Sequence, residues 1–140
     1  PSGIMGATWM NQPQDAEAHM SKILIVDDSP SQLYFLQRMV EGGGHQALTV
    51  DSGENALDAA PNHNPEVILM DIVMPGMSGY QAKRNLGRNQ TTRHIPVIFV
   101  STKAGEADRQ WGLKQGACEY ITKPVNPAAL LSAISEAIAA

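Results

Sequence analysis

A short apolar run that ends in an acid constrains the fold of this chain more than any other feature. Residues 67–70 read Val-Ile-Leu-Met, Asp71 follows directly, and Pro75-Gly76 marks a turn shortly afterwards. The run is too short for an ordinary helix, and its continuous apolar character is typical of a parallel strand buried on both faces. Because ligands gather beyond the carboxyl ends of such strands, Asp71 lies where chemistry is expected.

The composition indicates one domain with a modest core. The chain has 140 residues, of which 43% are hydrophobic and 17% are charged. No stretch approaches the roughly 20 apolar residues that a membrane helix needs, so we expect no membrane insertion. A single cysteine, Cys118, excludes an internal disulfide framework and fits the reducing cytoplasm. We expect its thiol to be half-buried in a loop.

The first 19 residues differ from the rest in composition and in hydrophobic pattern. They mix Gly, Gln, Asn and Met without periodicity and end in His19, directly before Met20. We interpret Met20 as the natural initiator, residues 1–19 as a cloning remnant or disordered tail, and residues 20–140 as the domain. The net charge is −4 for the whole chain. The chain contains no Lys/Arg run, so we expect no nucleic-acid partner.

Strand-like and helix-like segments alternate along the domain. The predicted strands are residues 22–26, 45–50, 66–70, 95–100 and 119–122, and the predicted helices are residues 30–41, 53–60, 80–89, 106–115 and 127–138. This alternation predicts an α/β protein with a doubly wound, five-stranded parallel sheet. The spacing places Phe35, Leu36 and Met39 on the core face of the first helix. Residues 61–65 are predicted to be a loop.

Chemically distinctive residues follow four of the predicted strands. Asp27 and Asp28 come after the first, Asp71 after the third, Ser101 after the fourth and Lys123 after the fifth. A parallel sheet brings the carboxyl ends of its strands to one edge, so these residues should converge. Three carboxylates that converge repel one another, unless a divalent cation or proton uptake relieves the repulsion.

The type of ligand favours Mg²⁺ at this edge. Carboxylate oxygens select a hard ion, and Mg²⁺ prefers one or two carboxylates together with phosphate oxygens. Lys123 would neutralise charge on a transferring phosphoryl group, Ser101 would donate to one of its oxygens, and Asp71 would attack in line. The residues thus predict a phosphoryl acceptor.

Over residues 21–140 the sequence resembles the receiver domains of two-component response regulators. The resemblance rests on several motifs in the expected order: Asp27-Asp28, Asp71 with Met74-Pro75 and Gly79, Ser101, Gly116-Ala117, Tyr120 and Lys123-Pro124. It implies a flavodoxin-like (βα)5 fold with strand order 2-1-3-4-5. It also implies that a sensor histidine kinase phosphorylates Asp71, and that Asp28, Asp71 and the backbone carbonyl of Val73 bind Mg²⁺, with Asp27 helping through water.

The same resemblance implies that residues at the ends of the fourth and fifth strands form a conformational switch. Ser101 would be the switch hydroxyl, Tyr120 the switch aromatic, and Lys123 the phosphate-binding lysine, followed by a cis peptide bond to Pro124. Thr102 takes the position beside Ser101 where alanine is common, so we expect it to restrict the inward swing of Tyr120. Such a protein is a phospho-acceptor switch rather than a turnover enzyme.

Local similarities indicate a narrower group within the family. Residues 28–30, 71–77, 101–103 and 111–112 resemble the single-domain regulators of type IV pilus chemosensory systems, which control twitching motility. We therefore expect a downstream motility protein as partner, reached through protein contacts, and a monomer or weak dimer. A flagellar chemotaxis-type regulator and a phosphate-sink receiver are the alternatives.

The residues also allow another chemistry and other roles for single side chains. A phosphohydrolase of the haloacid-dehalogenase type expects a second Asp two residues after its nucleophile, but that position is Val73, which cannot transfer protons. Because Val73 cannot orient an attacking water either, we expect slow autodephosphorylation. Trp111 is predicted either to pack in the core or to form an exposed partner surface together with Tyr120.

Overall fold

The computed structural model describes residues 20–140, in which five strands alternate with five helices. The prediction that residues 1–19 are a cloning remnant or disordered tail lies outside the described residues. The strands are β1 (Lys22–Val26), β2 (Gln46–Val50), β3 (Val67–Met70), β4 (Val97–Ser101) and β5 (Glu119–Thr122). The helices are α1 (Pro30–Gly42), α2 (Gly53–His63), α3 (Gly79–Arg88), α4 (Glu106–Lys114) and α5 (Pro127–Ala139).

The five strands form one parallel sheet in the order β2-β1-β3-β4-β5. This order and the alternating helices confirm the predicted flavodoxin-like, doubly wound fold. The strand order reverses between β1 and β3, so a crevice opens beyond their carboxyl ends. In the described part of the chain, no helix has the length and apolar character needed to cross a bilayer.

Both faces of the sheet are buried, which explains the continuous apolar character of its central strands. Along β1, Leu24 packs into the core cluster on the side of α2, α3 and α4, and Ile23 packs into the cluster on the side of α1 and α5. β3 divides its side chains in the same way. Burial of each large aliphatic side chain contributes about 1.5–3 kcal/mol, so the two clusters hold the sheet rigidly.

Helix α1 corrects one predicted core residue. Leu36 is buried as expected and Met39 packs at the edge of the core, but Phe35 is 54% exposed. The residues of α1 that face the sheet are Leu36 and Val40, one turn apart. Phe35 lies about 100° around the helix from Leu36, so its ring points away from that face.

Helix α2 continues through a proline that the sequence predicted to lie in a loop. The helix runs to His63 and contains Pro61 in its last turn. Pro61 is exposed, so water can satisfy the carbonyl that loses its helical partner. Asn64 then ends the helix in a left-handed conformation with φ of 48°, and its N–H donates to the carbonyl of Ala60.

Two residues near β5 lie on the surface. Trp111 is 51% exposed, which excludes core packing and leaves the alternative prediction of an exposed surface residue. The neighbouring Gly112 takes the buried face of the short helix α4 instead. Cys118 lies in the loop before β5 as predicted, but it is exposed rather than half-buried.

Candidate functional site

The acids that directly follow β1 and β3, Asp27 and Asp71, lie side by side. The N–H of Asp71 donates to the carbonyl of Val26 at 2.9 Å, and the N–H of Asp27 donates to the carbonyl of Val50 at 3.3 Å. Both acids therefore continue the hydrogen-bond pattern of the sheet, in neighbouring strands. Asp28 follows directly, and one carboxylate oxygen from each of Asp27, Asp28 and Asp71 lies within 4.8 Å of the others.

Lys123 reaches this acidic cluster from the end of β5. Its Nζ lies 2.7 Å from Oδ2 of Asp27 and 3.6 Å from Oδ2 of Asp71. The N–H of Lys123 donates to the carbonyl of Ser101 at 2.8 Å, and its peptide bond to Pro124 is cis. Because these side chains are largely withdrawn from water, their attraction is screened far less than that of a surface pair.

The two acids after β1 have different surroundings. Asp27 uses both carboxylate oxygens, since Oδ1 accepts from the N–H of Ser29 at 2.9 Å and Oδ2 accepts from Lys123. Asp28 is exposed, and its carboxylate accepts no hydrogen bond within residues 20–140. Asp28 and Asp71 thus have more free oxygen ligands than Asp27, in keeping with the lesser role predicted for Asp27.

The surroundings of Asp71 oppose its ionisation. Its Oδ1 accepts from the N–H of Ile72 at 2.8 Å. The pKa of Asp71 is raised, chiefly because the carboxyl is buried, and the negative charges of Asp27 and Asp28 raise it further. Lys123 and the Ile72 N–H act in the opposite direction but do not cancel these effects. A cation bound here would therefore favour the ionised form that a nucleophile requires.

The donor set fits Mg²⁺. Three carboxylates offer only oxygen ligands and carry more negative charge than the single Lys123 balances. A hard divalent ion matches such ligands, and Mg²⁺ commonly binds through one or two carboxylates while it keeps several waters. Val73 follows Asp71 by two residues, and its side chain is exposed to solvent. That its backbone carbonyl is a ligand stays a prediction.

Ser101 and Thr102 lie at the end of β4. Ser101 is fully buried and pairs with Thr122 of β5, and its Oγ accepts from the N–H of Lys103 at 3.2 Å. Thr102 is exposed beside it. The hydroxyl of Ser101 therefore lies at the edge of the sheet where Lys123 begins its reach toward the acids.

Tyr120 lies inside the domain in this structure. Its side chain is 3% exposed, and its hydroxyl donates to the carbonyl of Lys103 at 2.7 Å. Burial raises the pKa of this hydroxyl. The sequence predicted Tyr120 to form a partner surface with Trp111, but here only Trp111 is exposed, because the ring of Tyr120 fills a space beside Gly112 and Phe99.

Sequence reasoning missed the roles of three residues around the site. A Cβ at Gly112 would lie 2.6 Å from Cδ2 of Tyr120, so the inward ring requires glycine there. A Cβ at Gly79 would collide with the carbonyl oxygen of Asp71, which explains why a glycine opens α3. Arg109 donates from Nη1 to the carbonyl of Tyr120 at 3.2 Å. The family resemblance marks Gly79 and Gly112 as motif residues, but their roles and that of Arg109 depend on contacts with other elements, which the sequence does not show.

Comparison with known proteins decides the family. A model of the response regulator receiver domain matches residues 23–135. The chain belongs to the response regulator receiver family. The resemblance inferred from the acids, the hydroxyl and the lysine is thereby confirmed for the family and for the fold.

This receiver is similar to both sequenced and solved members of the family. It is 48% identical to Protein PilH from Pseudomonas aeruginosa over 120 residues, which cover 86% of this chain and 99% of PilH. A response regulator structure from Chloroflexus aurantiacus matches with a TM-score of 0.82 at 25% identity, over 86% and 99% of the two chains. The receiver domain of sensor histidine kinase PA1611 from P. aeruginosa matches with a TM-score of 0.80 at 28% identity, over 86% and 99%, and that structure has a magnesium ion coordinated in its active site cleft.

Proposed function

We propose that this receiver accepts a phosphoryl group from a histidine kinase on Asp71 and passes the signal on by protein contact. The observation that carries the proposal is the position of Lys123, whose Nζ lies 2.7 Å from Asp27 and 3.6 Å from Asp71. A lysine beside a nucleophile can neutralise charge on a transferring phosphoryl group. It acts here as a receiver switch, not as an enzyme that turns over a substrate.

The geometry favours Oδ2 of Asp71 as the attacking atom. Oδ1 is held by the N–H of Ile72, whereas Oδ2 faces Lys123. In the transfer, a new bond forms between this oxygen and phosphorus, the bond from phosphorus to the kinase imidazole breaks, and that imidazole keeps the electron pair. Mg²⁺ bound by Asp28 and Asp71, with Asp27 nearby, would supply further positive charge on the phosphoryl oxygens.

Lys103 offers a route from the acylphosphate to the surface. Its N–H donates to Oγ of Ser101, and its carbonyl accepts from the hydroxyl of Tyr120. A phosphoryl group that draws the hydroxyl of Ser101 toward itself as a donor would move Oγ away from the Lys103 N–H and weaken the first of these contacts. The second contact would then respond, because both belong to one residue, so the change would reach Tyr120 and α4.

The pathway part of the proposal is motility. Similarity to PilH over 99% of that protein supports a regulator of type IV pili and twitching. The proposal includes a cytoplasmic location and a downstream motility protein as partner. A flagellar chemotaxis-type role and a phosphate-sink role are the competing assignments. Pull-down of the phosphorylated receiver against pilus ATPases and against flagellar motor switch proteins separates them, and capture of the motor protein alone would contradict the motility assignment made here.

Phosphorylation itself is tested with a small phosphodonor. Acetyl phosphate and Mg²⁺ should add one phosphoryl group to the receiver, detected as a mass increase of the intact protein. D71N should abolish the labelling. D58N is the matched control, because Asp58 is an exposed acid on α2, outside the acidic cluster. Labelling that survives in D71N would overturn the proposal.

A further inference from the structure

Charge is distributed unevenly along the chain. Residues 72–105 contain five bases and no acid, whereas residues 20–71 contain eight acids and two bases. One of the five bases is Lys103 in the β4–α4 loop, and the other four fall between positions 83 and 93. A protein of net charge −4 therefore carries one positive segment, centred on helix α3.

Two arginines of α3 face solvent without a partner. Arg84 and Arg88 are exposed, and neither forms an ion pair or hydrogen bond within residues 20–140. Both line a groove with a volume of about 470 Å³. We call it the α3 groove, and its lining residues are Glu54, Gly76, Met77, Gln81, Arg84, Asn85 and Arg88.

Intrahelical effects account for only one of these arginines. Arg88 lies in the last turn of α3, where a positive charge interacts favourably with the helix dipole. Arg84 lies one turn earlier, and like charges four residues apart weaken an exposed helix. Neither the helix nor a neighbouring acid therefore explains why both positions carry a guanidinium group.

We propose that the α3 groove binds an acidic segment of a partner protein. Guanidinium groups bind carboxylates through two parallel hydrogen bonds, and arginine is enriched at protein interfaces whereas lysine is depleted. Arg84 and Arg88 are separated by about 6 Å along the helix axis. The segment that fits them presents carboxylates at a similar spacing, as acidic residues four apart do on a helix.

Other polyanions fit the groove less well. Duplex DNA is usually held by more phosphate contacts than two arginines can supply. A membrane surface normally also requires a cluster of exposed apolar side chains beside the charges. The exposed aromatic residues lie on α1 and α4 instead, and the loop before α3 adds the single exposed valine Val73. Glu54 repels any anion at its end of the groove, including the acidic segment, because its carboxylate lines the groove near Gly76. The carboxylates of the segment should therefore lie at the end formed by Arg84 and Arg88.

The test uses a labelled alanine-based helical peptide with glutamates four residues apart, and the unphosphorylated full chain at low ionic strength. Fluorescence anisotropy should show saturable binding that R84Q/R88Q weakens by about tenfold. R38Q/K114Q is the control with the same change of net charge, at exposed positions on α1 and α4, and it should retain binding. E54Q should strengthen binding, because it removes the negative charge from the groove.

Several outcomes overturn the proposal. They are failure of the wild-type chain to bind the peptide, equal weakening by both double variants, and equal binding of a peptide with glutamine in place of glutamate. Duplex DNA and phosphatidylserine vesicles serve as competing probes, and tighter binding of either through Arg84 and Arg88 would exclude a protein partner. Because no phosphoryl group is involved, the result is independent of the acceptor role of Asp71.

Discussion

Two pairs of opposite charge in this receiver use the same chemistry in different surroundings. Lys123 and Asp27 lie 2.7 Å apart with side chains 9% and 1% exposed. Arg109 and Glu119 lie 3.4 Å apart with side chains 46% and 36% exposed. The first pair lies in the acidic cluster beyond the carboxyl ends of the strands, whereas the second lies over the outer edge of β5.

The difference shows that burial decides what a charged pair does. In the interior, loss of one partner leaves an uncompensated charge where water cannot reach it, so the pair fixes both side chains in place. At the surface, water and salt replace a lost partner, so the same contact contributes little to stability. The exposed pair therefore acts mainly through the backbone groups that its side chains cover, and the attraction between its charges matters less.

The largest expected effect comes from K123M, which breaks the buried pair. It leaves Asp27 and Asp71 without their common counter-charge, so we expect the free energy of unfolding to fall by about 3 kcal/mol at neutral pH. Urea denaturation measures this loss. Mg²⁺ should restore part of it, because the ion supplies positive charge to the same acids. A loss as small as that of R109M would contradict the distinction between the pairs.

The second largest effect is expected at Gly112, which lies on α4 near the exposed pair and packs against Tyr120. G112A places a Cβ 2.6 Å from Cδ2 of Tyr120, so either the ring or α4 must shift. We expect the unfolding free energy to fall by about 1–3 kcal/mol. Y120L removes the clash, so the cost of G112A should shrink in the Y120L background. A cost that is the same in both backgrounds would show that the ring is not responsible.

Val73 follows Asp71 by two residues and has an exposed apolar side chain. Because valine cannot orient water for attack on an acylphosphate, we expect V73N to shorten the phosphoryl lifetime by about tenfold, or ~1.4 kcal/mol in activation free energy. The lifetime is measured as loss of label after the phosphodonor is removed. V73L keeps the apolar character and should leave the lifetime long. An unchanged or longer lifetime in V73N would contradict this prediction.

The raised pKa of Asp71 predicts a smaller effect that depends on pH. The folded pKa of Asp71 lies above the ordinary value for an aspartate, so the folded state favours the protonated acid. The resulting stabilisation is complete below the unfolded pKa and is lost as the pH rises through the folded pKa. D71N should therefore be more stable than wild type at neutral pH, and this advantage should shrink in acid. Denaturation at several pH values without Mg²⁺ measures it, and an advantage that grows in acid would reverse the sign.

The elements and the acidic cluster could be predicted from the sequence because they depend on local patterns and topology. Buried strands are continuous apolar runs, and parallel pairing brings Asp27, Asp71 and Lys123 to one edge wherever the helices lie. Tertiary packing decides instead which side of a short helix is buried. Phe35 and Trp111 are large and apolar, yet Leu36 and Gly112 occupy the buried faces of their helices.

The contacts around Tyr120 could not be predicted for the same reason. The ring points inward because Gly112 of α4 leaves space for it, and its hydroxyl finds the carbonyl of Lys103 in the loop after β4. Neither partner is adjacent in sequence. At Pro61 the local pattern itself was misleading, because a proline usually predicts a loop. The helix continues through it, since Pro61 faces solvent and Asn64 caps the helix end.

The smallest expected effect on stability is that of R109M, which breaks the exposed pair. The unfolding free energy should change by less than about 1 kcal/mol, as is usual for a surface pair.

The consequence of R109M should instead appear at the edge of the sheet, because β5 is an edge strand. There Arg109 covers the carbonyl of Tyr120, and the carboxylate of Glu119 accepts from the Tyr120 N–H at 2.8 Å. An uncovered edge strand pairs readily with another chain, so R109M should self-associate more strongly than R38M, the control with the same charge loss on α1. Sedimentation velocity measures the difference, and equal association of both variants would show that Arg109 does not protect the edge.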